Sequence, residues 1–202
     1  MAGITSNYTK HTQSKGLRKL LIERFDKKLL SLFAPFAGNV KTLIDVGCGE
    51  GFTLKKLHAR HPHVQFAGCD INADALELAK AQNPDAHFFV ANAYAVQAGE
   101  TFDAVICSEV LEHLEQPGKA LSEIKRLVDV AGGGCVILSV PDEPFFRLCN
   151  FASGKYLKTF GNHPEHIQNF SRRAFYDLCS RYFTPIACTT SFPWSIFVGK
   201  KE

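Results

Sequence analysis

The chain of 202 residues has no apolar run long enough to span a membrane, which excludes a helical membrane span. Its opening stretch, MAGITSNYTKHTQSKG, lacks the apolar centre and small-residue cleavage site of a secretory signal, so a cytoplasmic location is expected. There is no Cys-x-x-Cys pair. The seven cysteines (Cys48, Cys69, Cys107, Cys135, Cys149, Cys179 and Cys188) stand singly, several within or beside apolar runs, which argues against a zinc ribbon or a disulfide frame. Charge of one sign is scarce as well: the net charge of +3 is too small to imply a polyanionic partner without a local basic patch. Internal repeats and low-complexity tracts are absent. What remains, 46% hydrophobic and 21% charged residues, suffices for one domain with a substantial core.

From Leu17 to Phe33 apolar residues recur at helical spacing, with Arg18, Lys19, Lys27 and Lys28 largely opposite, and predict an amphipathic helix ending before Pro35. Short apolar runs at 42–46, 64–69, 86–90, 102–107 and 135–140 then read as strands. Between them, 74–81, 120–130 and the stretch after Gly51 read as helices. This alternation predicts an α/β fold whose mostly parallel sheet is covered on both faces. At the end of the chain, 185–192 and 195–200 form a terminal β-hairpin around Pro193-Trp194.

The residues Leu43-Ile44-Asp45-Val46-Gly47-Cys48-Gly49-Glu50-Gly51 carry the most information. Glycines at alternate positions after a strand let the backbone turn sharply and approach a ligand, and the amides of the following helix face the same spot. A dinucleotide loop also needs a glycine at its sixth position, where this chain has Phe52. No Gly-Lys-Ser/Thr phosphate loop exists either, and Asp45 together with Phe52 speaks against a dehydrogenase. Asp45 at the strand end repels a pyrophosphate and attracts an ammonium or sulfonium group. The expected ligand is a cationic nucleoside without phosphate. Asp70 can accept both hydroxyls of a ribose, Ile71 can cover a base, Asn92-Ala93 can meet an exocyclic amine, and Cys107-Ser108-Glu109 ends the fourth strand near the reacting end.

Through Asp45 to Gly51, Gly68-Cys69-Asp70, Ala91-Asn92-Ala93 and Phe102 to Glu109, the chain resembles the class I S-adenosylmethionine-dependent methyltransferases over roughly residues 40–140. The resemblance implies a seven-stranded Rossmann-like sheet with an antiparallel C-terminal strand. It further implies that the glycines contact the methionine part, Asp70 the ribose and Asn92 the adenine, although the family more often has Asp at the position of Asn92. The expected cofactor-binding set is therefore Asp45, Gly47, Cys48, Gly49, Gly51, Phe52, Asp70, Ile71, Asn92, Ala93, Cys107 and Ser108. The expected organisation is one domain, with a helical cap over 1–38, the cofactor core over 39–140, an acceptor lid over 141–170, and a C-terminal helix and hairpin over 171–202.

If Ser108-Glu109-Val110-Leu111-Glu112-His113-Leu114 begins a helix, Glu109, Glu112 and His113 share one face at i, i+3 and i+4. His163-Pro164-Glu165-His166 could return a further nitrogen ligand, and such mixed carboxylate and imidazole sites suit a divalent cation. The segment is similar to the ubiquinone-biosynthesis O-methyltransferases and to small-RNA 2′-O-methyltransferases, which share Glu-x-x-Glu-His here and a later histidine, matched by His166 ahead of Phe170. Glu109, His113 and His166 are the catalytic candidates, as metal ligands or as bases without metal; the alternative is a ligand-free helix face. Between residues 141 and 170, Phe145, Phe146, Phe151, Tyr156, Phe160 and Phe170 mix with Arg147, Lys155 and Lys158, either as a lid over the acceptor or as core beneath a long connection. Tyr8, Lys10 and His11 either close over the cofactor or fray. The expected reaction is methyl transfer to a small-molecule acceptor, most readily at oxygen; alternatives are RNA 2′-O-methylation and a non-catalytic S-adenosylmethionine-binding regulator.

Overall fold

The run Thr42–Val46 becomes the central strand β1 because four of its five residues are buried, as a strand covered on both faces requires. A computed structural model describes residues 6–131, 133–152, 159–161 and 165–202. Around β1 stand β2 (Gln65–Asp70), β3 (His87–Val90), β4 (Ala104–Ser108), β5 (Cys135–Pro141), β6 (Thr184–Ser191) and β7 (Trp194–Lys200). The sheet order is β3-β2-β1-β4-β5-β7-β6. Neighbours from β3 through β5 pair in parallel, whereas β7 runs antiparallel to both β5 and β6. This is the expected seven-stranded, mostly parallel sheet. Asp103 locks its register: Oδ2 accepts from the Lys41 and Thr42 amides, while its own N–H donates to Thr42 Oγ1.

Helices cover both faces. On one, α2 (Gly16–Phe33), α3 (Phe52–His58) and α4 (Ala73–Gln82) pack Phe33, Leu54, Leu57 and Leu76 against Leu43 and Ile106. On the other, α5 (Pro117–Leu127) and α7 (Arg172–Cys179) pack Leu121, Ile124 and Phe175 against Ile44, Val105 and Leu138. Local chemistry sets the boundaries. Asn72 caps α4 by accepting from the Asp74 and Ala75 amides, and Ser171 caps α7 by accepting from Ala174. Pro117 sits at the start of α5 and Val128 turns extended, so this helix occupies 117–127 instead of the expected 120–130. Two further helices, α1 (Ser6–Gln13) and α6 (Phe145–Ala152), were not legible as helices from their spacing. No helix among the described residues is long and apolar enough to cross a membrane.

The chain order reverses between β1 and β4, since β1 pairs with β2 on one side and β4 on the other. In open parallel sheets the crevice beyond the strand ends at this reversal is the ligand site.

Candidate active site

The loop after β1 is shaped by its contacts. Gly47 has φ +78°, and a Cβ there would lie 2.3 Å from Val110 Cγ2; Gly51 has φ +75°, and a Cβ would lie 2.6 Å from Asn83 Nδ2. Both glycines are therefore required by conformation and by space. The loop's amides are already engaged: Gly47 and Cys48 donate to the Cys69 carbonyl, Gly49 donates to Asp70 Oδ2, and Gly51 donates to the Cys48 carbonyl. With those donors turned inward, these glycines do not form an anion-binding nest of the phosphate-loop kind. From the C-terminal end of α4, Gln82 Nε2 donates to the Glu50 carbonyl and Asn83 Nδ2 to that of Gly51, a clamp that the sequence pattern did not reveal.

Asp45 is buried, and its Oδ1 has no hydrogen-bond partner. Burial, with the nearby Asp70 charge second, pushes its pKa from 3.8 up to about 7. A buried, incompletely paired carboxyl can receive a positively charged group. Asp70 is organised differently. Its Oδ2 accepts from Gly49 and its Oδ1 from the Asn72 amide, which aligns the carboxylate at the end of β2 while leaving lone pairs for a diol.

Beyond Asp70 a cavity of about 650 Å³ is lined by Ile71, Phe89, Asn92, Ala95 and Gln97, among others. Exposed Ile71 supplies an apolar wall on which a base can lie. Asn92 Oδ1 accepts from the Tyr94 amide in a local turn, which fixes the side chain at the cavity edge. Ala93 packs partly buried against the core behind it. Phe52 opens α3 and stacks on His11 of α1 at 4.6 Å, with Tyr8 at 6.0 Å, so α1 lies against the cofactor loop. Ser108 shares a hydrogen bond with Ser139 at 2.8 Å. Cys107 is placed otherwise: it is fully enclosed in the core, and burial pushes its thiol well above its ordinary range.

The segment after β4 departs from expectation. Residues 108–114 do not start a regular helix; Glu109 is left-handed, with φ 60°, and only Leu111–His113 form a 3₁₀ turn. The three-residue turn breaks the i, i+3, i+4 face. Glu109 Oε2 instead accepts from the Trp194 indole at 2.5 Å. Glu112 and His113 meet His166 from the far side of the lid, with one ligand atom from each lying within 4.8 Å of the others.

Backbone bonds assemble that second cluster. The Ile167 and Gln168 amides both donate to the Glu112 carbonyl at 2.9 Å. His113 Nδ1 lies 2.9 Å from the Glu165 carbonyl, an obligate acceptor, so Nδ1 carries the proton and Nε2 of the neutral ring keeps its lone pair. That Nε2 stands 3.9 Å from Glu112 Oε1, and the His113 and His166 rings are 5.0 Å apart. Phe146 of α6 stacks on His166 at 5.5 Å. In the lid region, Phe170 is buried in the core, whereas Phe145, Phe151 and Phe160 are exposed. Phe170 thus belongs to the core beneath the connection, one of the two expected roles. Tyr156, Lys155, Lys158 and His163 lie outside the described residues.

Comparison with known proteins places this geometry. Residues 44–137 match the family described as methyltransferase domain. The chain is 32% identical over 111 residues, 52% of its length, to the ubiquinone biosynthesis O-methyltransferase of Aromatoleum aromaticum, of which the match covers 46%. The matched region thus spans under half the length of such curated relatives. Among solved structures, a protein from Pyrococcus horikoshii superposes with a TM-score of 0.74 at 18% identity, covering 99% of this chain and 100% of that one. The N-methyltransferase NodS from Bradyrhizobium japonicum, solved with S-adenosyl-L-homocysteine, gives 0.67 at 15% identity over 90% and 87% of the two chains. Residues 44–137 therefore match a methyltransferase domain, and in sequence and fold the chain is similar to the class I S-adenosylmethionine-dependent methyltransferases.

Proposed function

We propose that this protein transfers the methyl group of S-adenosylmethionine to an oxygen of a small-molecule acceptor. The observation that carries this reading is that a buried carboxyl, Asp45, near the end of β1 and the Glu112, His113 and His166 cluster, whose first two members follow β4, belong to adjacent parallel strands. Asp45 attracts the ammonium of the methionine part, Asp70 receives the ribose hydroxyls, and Ile71 and Asn92 frame the base. The acceptor lies toward the lid, where Phe146 stacks on one face of His166.

The reaction is an in-line displacement. The acceptor oxygen attacks the methyl carbon, the carbon–sulfur bond breaks with its electron pair passing to sulfur, and S-adenosylhomocysteine leaves. Since the leaving group is already cationic, the protein's tasks are alignment and removal of the acceptor proton. In this reading His113 Nε2, the ring nitrogen not engaged by the Glu165 carbonyl, or His166 takes that proton.

The same cluster fits a divalent cation. One buried carboxylate and two imidazoles, one of them fixed as a tautomer by the Glu165 carbonyl, form a mixed oxygen and nitrogen donor set. A bound Mg²⁺ or Mn²⁺ would polarise an acceptor hydroxyl and lower its pKa. The similarity to ubiquinone-biosynthesis O-methyltransferases favours a phenolic acceptor, and the exposed Phe145 and Phe151 beside the lid favour one with an apolar portion.

Incubation with methyl-labelled S-adenosylmethionine and a panel of catechols and monophenols, with Mn²⁺ or with chelator, tests the proposal. Label should pass to a phenolic oxygen, and His166→Ala should reduce the rate without weakening cofactor binding. Label recovered only on nitrogen or carbon nucleophiles would refute O-methylation.

A further inference from the structure

Glu109 leaves β4 in the left-handed region at φ 60°, a conformation that a residue of this size keeps only where its surroundings enforce it. Two contacts do so. Its N–H donates to the Ser139 carbonyl at 3.1 Å, and its Oε2 accepts from Trp194 Nε1. Trp194 is itself immobilised: it is 5% exposed, and its ring packs 5.1 Å from Phe25 of α2 and 6.2 Å from Phe146 of α6. Indole nitrogen is a donor only, so the direction of this bond is fixed. A donated N–H orients a carboxylate. The next residue, Val110, lies directly against Gly47, so Glu109 stands beside the loop that follows Asp45 and β1.

We propose that Trp194 is the positioning residue of Glu109, and that the pair makes the site prefer the positively charged methyl donor over its neutral product. The proposal rests on the methyltransferase reading above. S-adenosylmethionine and S-adenosylhomocysteine share the amino-acid, ribose and base groups, and they differ in the methyl group and the charge at sulfur. Asp45, taken above as the receptor of the ammonium, meets a group common to both. On the methyltransferase reading, the carboxylate that directly follows β4 lies toward the reacting end of the ligand, where the charge difference resides. The C-terminal hairpin, through one indole N–H, thereby helps the site accept substrate and release product.

Trp194 is the sole tryptophan of the chain, so growth on 3-benzothienylalanine replaces it site-specifically, deleting the N–H while keeping the shape. Calorimetry at one pH then gives the dissociation constants of S-adenosylmethionine and S-adenosylhomocysteine for the native protein, the benzothienyl protein, Glu109→Gln, and Phe25→Leu as a packing control. The preference for the charged ligand should fall roughly tenfold, equivalent to about 1.4 kcal/mol, in both the benzothienyl protein and Glu109→Gln. Phe25→Leu should retain it. Combining the benzothienyl replacement with Glu109→Gln should give no further loss. A shift in Glu109→Gln without one in the benzothienyl protein overturns the role of Trp194. An unchanged preference in both overturns charge reading by the pair. Failure of the native protein to bind either nucleoside would instead sink the methyltransferase reading itself.

Discussion

Replacing Asp45 with asparagine should stabilise the ligand-free protein and weaken its hold on the cofactor at the same time. Asp45 is 2% exposed, and burial together with Asp70 pushes its pKa from 3.8 to about 7. A folded-state value above the unfolded one means that the folded protein holds an extra proton between those two values, so the slope of stability against pH is negative across that window. The contribution of Asp45 is thus most favourable below about pH 4, and its penalty is complete above about pH 7. At 1.36 kcal/mol per pH unit the penalty is on the order of 4 kcal/mol. Asparagine has the same shape and no charge to desolvate, but it leaves a buried amide incompletely paired at a cost of about 1–3 kcal/mol. The net gain at pH 8 should be roughly 1–3 kcal/mol. Urea unfolding at pH 8 and pH 5 measures it: Asp45→Asn should have the higher midpoint at pH 8 and a nearly equal one at pH 5. Its affinity for S-adenosylhomocysteine at pH 8 should fall about tenfold or more, through loss of the attraction for the ligand's ammonium. Equal destabilisation at both pH values, or unchanged affinity, would refute the assignment of Asp45 as a buried cation receptor.

Three further outcomes follow from the same geometry. Asp70→Ala removes a carboxylate already aligned by the Gly49 and Asn72 amides, and should cost about 1.5–3 kcal/mol of S-adenosylhomocysteine binding, whereas His166→Ala should change that affinity by less than about twofold; calorimetry on both variants decides. Gly47→Ala drives a Cβ against Val110 at positive φ and should lose about 1–3 kcal/mol of stability in urea, while Gly38→Ala, with nothing within 4 Å, should stay within about 0.5 kcal/mol of the native protein. Mn²⁺ should raise the melting temperature of the native protein, an effect reversed by chelator and abolished in Glu112→Gln; an equal shift in that variant would place the ion elsewhere.

The central sheet was readable because burial on both faces leaves continuous apolar runs, and β1 at Thr42–Val46 coincides with its run residue for residue. The cofactor loop was readable for a related reason: Gly47 and Gly51 are dictated by backbone geometry, which is local. Asp45 was legible as an electrostatic statement, yet its elevated pKa depends on enclosure by the whole domain. The helical face proposed for Glu109, Glu112 and His113 failed because the chain enters the left-handed region at Glu109, a choice enforced by a tryptophan 85 residues away. Helical periodicity carries no trace of such a partner. His166 was found by resemblance, and its docking through the Glu112 carbonyl is a backbone contact invisible to side-chain patterns. Trp194 itself read only as part of a hairpin turn, and its single occurrence in the chain was the one available signal.

The most direct test of the account is a calorimetric titration of the full chain with S-adenosyl-L-homocysteine, repeated on Asp70→Ala and with NAD as the competing nucleoside. One S-adenosylhomocysteine should bind saturably per chain, with binding strongly weakened in Asp70→Ala and no heat from NAD. Absence of binding to the native protein, or binding of NAD at comparable strength, would contradict it.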